Sequence, residues 1–326
     1  MTGLSDSFQR PINYLRISVT DRCNLRCIYC MPQSGVNLLP RSDILSYEEI
    51  GMVARAAAGL GITKIRISGG EPLVRSDLPQ LVALLNKIDA IDDLALSTNA
   101  TLLQAHAAEL KNAGLRRVNI SLDSLKPERF EQITRLGSLS QVLRGIEAAQ
   151  AAGLHPVKIN VVVLRGINDD EVLAFALKTQ QEGWNVRFIE LMPVGQTELS
   201  SRYISTAEIR QRLASLGELQ PCQPEQGNGP ARYFRLMRAS GTIGFISPIS
   251  EHFCFGCNRL RLTADGRLRP CLLADDEIEL RQKLRSGTSI AELAELIRQA
   301  AAAKPERHNL GRGGAVPQRP MAQVGG

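Results

Sequence analysis

Three cysteines lie close together near the amino terminus: Cys23, Cys27 and Cys30. Their CxxxCxxC spacing suits three ligands of a [4Fe-4S] cluster, in which cysteine thiolates bind the irons. Because a closed cluster takes four protein ligands, a local set of three leaves one iron open to another molecule. The alternative is a zinc site, although zinc motifs usually pair one CxxC with a second pair.

A second set of three cysteines lies near the carboxyl terminus: Cys254, Cys257 and Cys271. A CxxC pair followed by one more cysteine predicts a second [4Fe-4S] cluster with one open iron. That iron would act as a Lewis acid and bind a donor atom of the substrate. The alternative is a zinc ribbon that lacks one ligand. The remaining cysteine, Cys222, stands in a segment rich in Pro, Gln and Gly, and we interpret it as a structural or incidental thiol.

Arginines stand between the cysteines of the second set. Arg259 and Arg261 follow Cys257 closely, and Arg267 and Arg269 precede Cys271. Guanidinium groups suit triphosphate oxygens, which they contact in pairs. A solvated face is the alternative for these arginines, but their place among candidate cluster ligands favours a binding role.

Composition narrows the class of protein. The net charge of +6 predicts an anionic partner or substrate, but basic residues are scattered and aromatics are only 4%, which disfavours nucleic acid. No run of eighteen apolar residues occurs, and the first ten residues lack the apolar core of a signal peptide. We therefore predict a cytoplasmic protein without membrane association, in which seven cysteines indicate metal binding or catalysis rather than disulfides.

The elements that position these residues follow a βα rhythm up to about residue 192. β-Branched runs predict strands at 14–19, 64–68, 94–97, 117–122, 157–163 and 186–191, and amphipathic patterns predict helices at 46–59, 77–88, 102–113, 139–152 and 169–182. Ser46 and Glu49 have the spacing of a capping box, and Gly61 and Gly153 follow helices as left-handed caps. Six such units predict an α/β fold, a partial (β/α)6 barrel with its site at the carboxyl ends of the strands.

After residue 193 this rhythm stops. We predict a turn-rich segment at 220–230, a β-hairpin within 233–246, helices at 277–285 and 289–303, and an irregular tail from His308 onward. The predicted division is a barrel at 1–220 and, at 221–326, a carboxyl-terminal region with the second cluster.

Tyr29, an aromatic residue just before Cys30, completes a pattern that resembles the radical S-adenosylmethionine (SAM) superfamily. The whole chain resembles the GTP 3′,8-cyclase family, which performs the first step of molybdenum cofactor biosynthesis. The motifs that carry the resemblance are CNLRCIYC, SGGEPLVR, STN, NISLDS, KIN, FIELMPVG, FCFGCNRLRLTADGRLRPC and the terminal Gly-Gly. One short piece such as GGEP would indicate only the superfamily, whereas both cysteine sets with this tail are highly specific.

The resemblance implies a role for each matching residue. Cys23, Cys27 and Cys30 would hold the SAM cluster, and Cys254, Cys257 and Cys271 the substrate cluster. SAM would contact Tyr29, Gly70, Ser121 and Met192, and GTP would contact Arg16, Arg66, Ser97, Lys158, Arg259, Leu260 and Arg261. Taken alone, the Gly70 segment would be a tight turn and Met192 core packing. Thr98 is an alternative to Ser97, because this chain has Ser-Thr-Asn-Ala where the family often has Thr-Thr-Asn-Gly.

The resemblance also implies the reaction. SAM would be cleaved to a 5′-deoxyadenosyl radical, which removes the 3′ hydrogen of GTP so that the ribose carbon attacks C8 of guanine. The product would be (8S)-3′,8-cyclo-7,8-dihydroguanosine 5′-triphosphate. Arg66 is a candidate participant, and the terminal Gly325 and Gly326, ordinarily frayed ends, would enter the site and be needed for turnover. Implied partners are a second copy in a homodimer, a one-electron donor such as flavodoxin or ferredoxin, and cyclic pyranopterin monophosphate synthase, which would take the product.

Two other functions stay open on the residues alone. A radical SAM maturase acting on a peptide would use the second cluster in an auxiliary role, and GTP binding would distinguish it. A non-catalytic iron–sulfur or zinc protein would cleave no SAM and would bind nucleic acid with a salt-sensitive affinity.

Overall fold

One continuous sheet runs through the computed structural model, which describes residues 3–192, 199–224, 226–308 and 319–325. Its strands are β1 Tyr14–Ser18, β2 Lys64–Ser68, β3 Asp93–Thr98, β4 Arg117–Ser121, β5 Val157–Val163, β6 Asn185–Glu190, β7 Gln220–Cys222, β8 Arg232–Arg235, β9 Ile243–Ile246, β10 Arg259–Leu262, β11 Arg267–Arg269 and β12 Ile278–Glu279. They lie in the order β12-β11-β10-β1-β2-β3-β4-β5-β6-β9-β8-β7. The strands from β10 to β9 in this order are all mutually parallel.

Helices cover the outer face of the sheet. They are α1 Tyr47–Gly59, α2 Leu78–Asn86, α3 Leu103–Asn112, α4 Pro127–Thr134, α5 Leu139–Ala151, α6 Val172–Gln181, α7 Thr206–Leu213, α8 Arg281–Arg285 and α9 Ile290–Ala302. A further short helix, α10 Met321–Val324, lies in the tail. The capping box of Ser46 and Glu49 opens α1, and Gly61 and Gly153 follow their helices with positive φ, as predicted. In the described part of the chain, none of these helices has the length and apolarity that a bilayer crossing requires.

The six predicted strands of the barrel are confirmed to within a residue at each end, and the predicted helices between them to within about a turn. Helix α4 was not predicted, although Pro127 stands at its first position and Phe130 and Ile133 are buried, which is an ordinary helix-start pattern. The βα units thus form the expected parallel sheet, whose sides are completed by later strands.

The carboxyl-terminal region supplies those strands. β9 pairs in parallel with β6, and β10 pairs in parallel with β1, so the parallel sheet is wider than the six strands that the βα rhythm predicts. The predicted hairpin is confirmed as β8 and β9, which are antiparallel. The helix predicted at 277–285 is wrong at its start, because residues 278–279 form β12, where Glu279 pairs with Arg267 of β11. The division at residue 220 stays a prediction, and strands from both sides of it share one sheet.

Strand alternation separates a hydrophobic outer face from a polar inner face. In β1 and β10 the outward residues, such as Leu15 and Leu260, are fully buried in the hydrophobic core beneath the helices. Their neighbours Arg16 and Arg261 line an internal cavity instead. The same cavity is lined from β9 by Ile246, so the sheet curves around it as an open barrel.

The tail is not wholly irregular, which corrects the expectation for its described part. Residues 321–324 form the single turn α10, directly after Pro320. Ala322 and Val324 are buried within the molecule, and this burial stabilises a turn that local composition alone does not favour.

Candidate active site

One cavity of about 270 Å³ lies inside the barrel and is lined by most of the residues singled out from the sequence. The lining includes Cys23, Cys27, Cys30, Tyr29, Gly70, Ser121 and Met192, which is the whole set predicted for the first cluster and SAM. It also includes Arg16, Arg66, Ser97, Arg259 and Arg261 of the set predicted for GTP. Lys158 and Leu260 are the two predicted GTP contacts outside this lining.

The first cysteine set lies on a loop after β1 that is fastened to the end of α4. The N–H groups of Arg26 and Ile28 donate to the carbonyls of Thr134 and Ile133 at 3.0 and 2.9 Å. Arg135, in a left-handed conformation at the end of α4, donates to the carbonyls of Arg26 and Met31, both at 3.1 Å. Unpredicted helix α4 therefore holds the loop that carries the three thiols.

The glycines of the Ser68–Pro72 segment serve close backbone packing. Gly70 N–H donates to the Thr20 carbonyl at 2.7 Å, and Glu71 N–H donates to the Arg22 carbonyl at 2.8 Å. A Cβ on Gly70 would lie 2.3 Å from the Arg22 oxygen, closer than any real contact. The end of β2 and the start of the cysteine loop thus fit together only without a side chain at this position.

Gly70→Ala is therefore expected to displace the cysteine loop. We predict SAM binding at least about 10-fold weaker and a loss of about 1–3 kcal/mol in the free energy of unfolding, as for overpacked cores. Gly59→Ala is the matched control, because a Cβ there meets nothing within 4 Å. Isothermal titration with SAM and thermal unfolding measure both effects, and equal SAM affinity in the two variants would contradict this account.

Glu71 is the centre of a buried network at the same end of the barrel. Its carboxylate accepts hydrogen bonds from Leu73 N–H at 3.1 Å, from the Thr98 hydroxyl at 2.7 Å and from Asn99 N–H at 2.7 Å. The Asn99 amide donates in turn to Asn24 Oδ1 at 2.8 Å, inside the cysteine loop. Burial raises the pKa of Glu71 to about 7, while the three donated hydrogen bonds favour its ionised form.

Tyr29 is oriented by a second buried carboxylate. Its hydroxyl donates to Asp123 Oδ2 at 2.6 Å, and Val162 N–H donates to Asp123 Oδ1 at 2.7 Å. Burial raises the pKa of Asp123 to about 6, although the two hydrogen bonds that it accepts act to lower this pKa. The aromatic ring of the CxxxCxxC motif is thus fixed to the carboxyl end of β4, next to Ser121.

The deeper part of the barrel is strongly cationic. Its inward-facing cations come from seven positions on six strands: Arg16, Arg66, Arg117, Lys158, Arg187, Arg259 and Arg261. Arg117 pairs with Asp93 at 2.7 Å. Within the described residues, Arg66, Lys158, Arg187, Arg259 and Arg261 have no carboxylate within ion-pair distance. Buried cations of this number require an anionic ligand, because their own repulsion opposes folding.

The pKa values of these groups show that repulsion. Burial, together with the charges of Arg261 and Arg66, holds the pKa of Arg16 well below its usual value. Burial lowers the pKa of Arg66 to about 10 and that of Arg261 to about 9. For Lys158, burial and the nearby arginine charges lower the pKa to about 6.

Lys158 lies at the amino-terminal end of the barrel, under a covering segment. Its ammonium donates to the Gln226 carbonyl at 2.5 Å, and Asn228 of the same segment donates to Asn13, just before β1, at 3.1 Å. Gly229 and Pro230 line the cavity from this side. The segment 226–230 therefore closes the bottom of the cavity beside Lys158.

The geometry distinguishes Ser97 from Thr98. The Thr98 hydroxyl donates to Glu71 and accepts from Ala100 N–H at 2.9 Å, so it is committed to the network. The buried Ser97 hydroxyl has no partner among the described residues and lines the cavity. Ser97 is thus the hydroxyl with capacity for a ligand, as the sequence analysis preferred.

The second cysteine set lies beside the cavity and borders it through neighbouring residues Phe253, Arg259 and Leu272. Burial raises the pKa of Cys254, and the adjacent Cys271 and Cys257 thiols raise it further, so the three groups are close. Although burial opposes ionisation, Arg259 and Lys304 lower the pKa of Cys257 to about 6. Such a thiolate set suits an iron–sulfur cluster.

The described tail reaches both the cavity and the first cysteine set. Met321 and Ala322 line the cavity, and Ala322 N–H donates to the Cys30 thiol. The Gly325 carbonyl accepts from Arg261 at 2.5 Å, and a Cβ on Gly325 would lie 2.6 Å from Ser68 Oγ. Gly325 thus contacts Arg261 and Ser68, which both line the cavity, while Gly326 lies outside the described residues.

Arg319 anchors this tail. Its guanidinium contacts both oxygens of Asp265, at 3.1 and 2.9 Å, and Glu277 Oε1 at 2.8 Å. Both carboxylates belong to the β10–β12 region that also carries Cys271. The tail is therefore fastened two residues before Met321, where it reaches the cavity.

Arg319→Ala is expected to release the tail. Loss of a two-carboxylate anchor should increase hydrogen exchange of the amides at 322–325 by at least about 10-fold, since paired charged hydrogen bonds contribute about 1.5–3 kcal/mol each. Arg298→Ala, which removes an exposed pair with Glu295, is the control. Unchanged exchange at 322–325 in Arg319→Ala would show that other contacts hold the tail.

Sequence patterns did not identify several residues of the site. Arg187 lines the cavity, yet it resembles any charged residue in a strand until its inward direction is known. Glu71 and Asp123 stand in recognised motifs, GGEP and NISLDS, but their hydrogen-bond partners are distant in sequence. Lys304, buried against the second cysteine set, follows α9 without any local signal.

Comparison with known families matches two successive parts of the chain. A family described as the Radical SAM superfamily matches residues 17–178, and one described as Molybdenum Cofactor Synthesis C matches residues 184–310. The chain is 53% identical to GTP 3′,8-cyclase of Pelotomaculum thermopropionicum, over 99% of this chain and 100% of that protein. It is 52% identical to GTP 3′,8-cyclase of Moorella thermoacetica, with the same coverage, and 48% identical to that of Geobacter sulfurreducens, over 99% of both.

Solved structures show a similar fold at much lower identity. Streptococcus suis SuiB bound to S-adenosylmethionine matches with a TM-score of 0.61 and 15% identity, over 88% of this chain and 68% of that one. The structure of anSMEcpe with bound AdoMet matches with a TM-score of 0.55 and 15% identity, over 86% and 81%. The full-length identity to curated relatives, with both family matches, shows that this chain belongs to the GTP 3′,8-cyclase family of the radical SAM superfamily.

Proposed function

We propose that this protein is a radical SAM GTP 3′,8-cyclase, which converts GTP to (8S)-3′,8-cyclo-7,8-dihydroguanosine 5′-triphosphate in molybdenum cofactor biosynthesis. One observation carries the proposal: a single cavity joins the CxxxCxxC thiols to a cluster of buried cations. The thiols suit SAM-dependent radical chemistry, and the cations suit a nucleoside triphosphate. Full-length similarity to curated GTP 3′,8-cyclases supports the same substrate.

The upper part of the cavity would hold the first cluster and SAM. Cys23, Cys27 and Cys30 would be the ligands, and Tyr29, Gly70, Ser121 and Met192, which line the same cavity, would contact SAM. When bound, this cluster and SAM supply the 5′-deoxyadenosyl radical that removes the ribose 3′ hydrogen. The protein's own contribution is rigid placement, since Glu71, after β2, fixes the loop and Asp123, after β4, fixes the tyrosine.

The lower part of the cavity would hold GTP. Arg16, Arg66, Arg187, Arg259 and Arg261 face the anionic ligand, and the Ser97 hydroxyl has hydrogen-bonding capacity. Arg66 lines the cavity and lies over the Tyr14 ring at 5.4 Å, a cation–π contact that orients its guanidinium, and it is the candidate participant in the reaction. Leu260 would contact GTP only through its backbone, because its side chain is buried on the opposite face of β10.

The second cysteine set completes the substrate side. We propose that Cys254, Cys257 and Cys271 hold a second [4Fe-4S] cluster whose open iron binds GTP. Gly325 and Gly326 would enter the site and be needed for turnover, and at Gly325 the 2.6 Å approach of a Cβ to Ser68 Oγ leaves no room for a side chain. A homodimer, a flavodoxin or ferredoxin as electron donor, and transfer of the product to cyclic pyranopterin monophosphate synthase belong to the same proposal.

GTP binding by anaerobically reconstituted protein tests the proposal. We expect about eight irons per chain and a GTP-dependent change in the EPR signal of one cluster. Arg259→Ala should weaken GTP binding by about 10- to 100-fold while leaving the SAM-dependent EPR change intact, since a charged hydrogen bond contributes about 1.5–3 kcal/mol. Arg298→Ala is the exposed control. SAM binding without GTP binding would favour a peptide maturase, and binding of neither would contradict a radical SAM enzyme.

A further inference from the structure

Lys304 is a buried cation next to the second cysteine set that the reaction itself does not require. It follows α9 directly and is only 3% exposed. Its ammonium donates to the Arg259 carbonyl at 2.8 Å and to the Pro270 carbonyl at 2.6 Å, and it also hydrogen-bonds the Cys257 thiol. Three donor positions of the ammonium are thereby used, all of them around the second cysteine set.

The electrostatic environment of Lys304 is unusual. Within the described residues, no carboxylate lies within ion-pair distance of it, and Arg259 adds a second positive charge nearby. Its neighbours that can carry a negative charge are the Cys257 and Cys271 side chains. A buried ammonium is costly unless it is paired, so this position favours a negatively charged group on those sulfurs.

The two carbonyls that Lys304 contacts lie on both sides of the ligand set. Arg259 follows Cys257 by two residues on β10, and Pro270 immediately precedes Cys271 after β11. One ammonium therefore fixes the relative position of two cysteines that are fourteen residues apart in the chain. A neutral hydrogen-bond donor would satisfy the two carbonyl acceptors equally well. Thiolates at Cys257 and Cys271, in contrast, favour a positively charged donor at this position.

The residues after Lys304 continue around the same set. His308 N–H donates to the Cys254 thiol. Arg10 donates to the Cys254 carbonyl and to the Pro305 and Glu306 carbonyls, each at 2.7 Å, which holds this segment against the cysteines. The segment 304–308 thus contacts two of the three cysteines directly and a third through the Pro270 carbonyl.

We propose that Lys304 is a positioning residue of the second cluster, which compensates its negative charge and holds two of its ligands together. This inference rests on the proposed function, in which Cys254, Cys257 and Cys271 hold a [4Fe-4S] cluster. Three thiolates on such a cluster leave a net negative charge, and a hydrogen bond to a ligand sulfur raises the reduction potential. Lys304 thus favours both assembly and the reduced state of this cluster, without touching the first.

Lys304→Met in the reconstituted full-length protein tests the inference, with Lys283→Met as an exposed control on α8. We measure iron per chain and follow both clusters by EPR during a redox titration, using SAM to identify the first cluster. The expected result is a second cluster that is at least about 10-fold harder to reduce, or 59 mV lower for one electron. Preferential loss of about half the iron, with the SAM-dependent signal retained, also supports the inference. Lys304→Arg, which keeps the charge, should restore most of the potential and the iron.

A fully loaded Lys304→Met protein with an unchanged potential would overturn the role of Lys304 while leaving the proposed function intact. A wild-type protein that binds only about four irons per chain would instead overturn the second cluster and this inference with it. If Lys304→Met does not fold, Lys304→Gln provides the same comparison, because it keeps a donor but not the charge.

Discussion

Lys158→Met is expected to stabilise the ligand-free chain and to weaken GTP binding in the same experiment. Lys158 is 3% exposed and its pKa is lowered to about 6, first by burial and then by Arg187, Arg117 and Arg66. Replacing it with an apolar side chain of similar length removes this repulsion. We expect a gain of about 2 kcal/mol in the free energy of unfolding at pH 7.

The pH dependence of this gain has a definite sign. The unfolded lysine keeps a pKa near 10.5, so between about pH 6 and 10.5 the unfolded chain binds more protons than the folded one. Lys158 therefore lowers the free energy of unfolding by its full amount below about pH 6. This destabilisation decreases as the pH rises and is absent above about pH 10.5. The stability advantage of Lys158→Met should decrease over the same range.

The effect on GTP follows from the same charge. A triphosphate beside Lys158 would favour its protonated form, so GTP binding at pH 8 should be accompanied by proton uptake. Isothermal titration in buffers of different ionisation enthalpy measures this uptake, which Lys158→Met should abolish while weakening binding about 10- to 100-fold. Lys126→Met, at an exposed lysine paired with Asp170, is the control and should change stability by less than about 0.5 kcal/mol. A destabilised Lys158→Met protein with normal GTP affinity would contradict this account.

Glu71→Gln is expected to disable the SAM half of the cavity. Both carboxylate oxygens accept hydrogen bonds, and an amide nitrogen in place of Oε2 would point one donor at the Asn99 N–H. A buried unsatisfied donor costs about 1–3 kcal/mol, and displacement of Asn99 would break its hydrogen bond to Asn24 in the cysteine loop. We therefore predict at least about 10-fold weaker SAM binding and faster loss of iron from the first cluster.

The control for this prediction is Glu295→Gln, which changes an exposed carboxylate on α9. SAM affinity, the SAM-dependent EPR change and iron content are measured for both proteins. GTP binding should be nearly unchanged in Glu71→Gln, because the arginines lie deeper in the barrel. Normal SAM affinity in Glu71→Gln would show that the Asn99–Asn24 connection does not position the cysteine loop.

Local patterns in the sequence were enough to predict the framework of the barrel. Val157–Val163 alternates between residues packed under helices and residues facing the interior, and its bounds are confirmed. The cysteine loop after β1 was equally visible, because its residues are adjacent in the chain. These features depend on spacing within a few residues, which sequence patterns report directly.

Long-range pairing was much less accessible. Arg259–Leu262 alternates like a strand, but nothing in it indicates that Arg261 lies opposite Arg16 of β1, across more than two hundred residues. The same applies to the Glu71–Asn99–Asn24 network and to Lys304, whose partners are brought together only by the sheet. Most residues that the resemblance implies as ligand contacts line one cavity, whereas Arg187 and the supporting carboxylates became evident only from the three-dimensional arrangement.

Turnover of GTP deuterated at C3′ tests the central proposal most directly. Anaerobically reconstituted protein is incubated with SAM, dithionite and the labelled GTP, and 5′-deoxyadenosine and the nucleotide product are analysed by mass spectrometry. We predict deuterium in 5′-deoxyadenosine and a matching amount of 3′,8-cyclised product. Unlabelled 5′-deoxyadenosine with intact GTP would show radical chemistry on some other substrate and would contradict the assignment as a GTP 3′,8-cyclase.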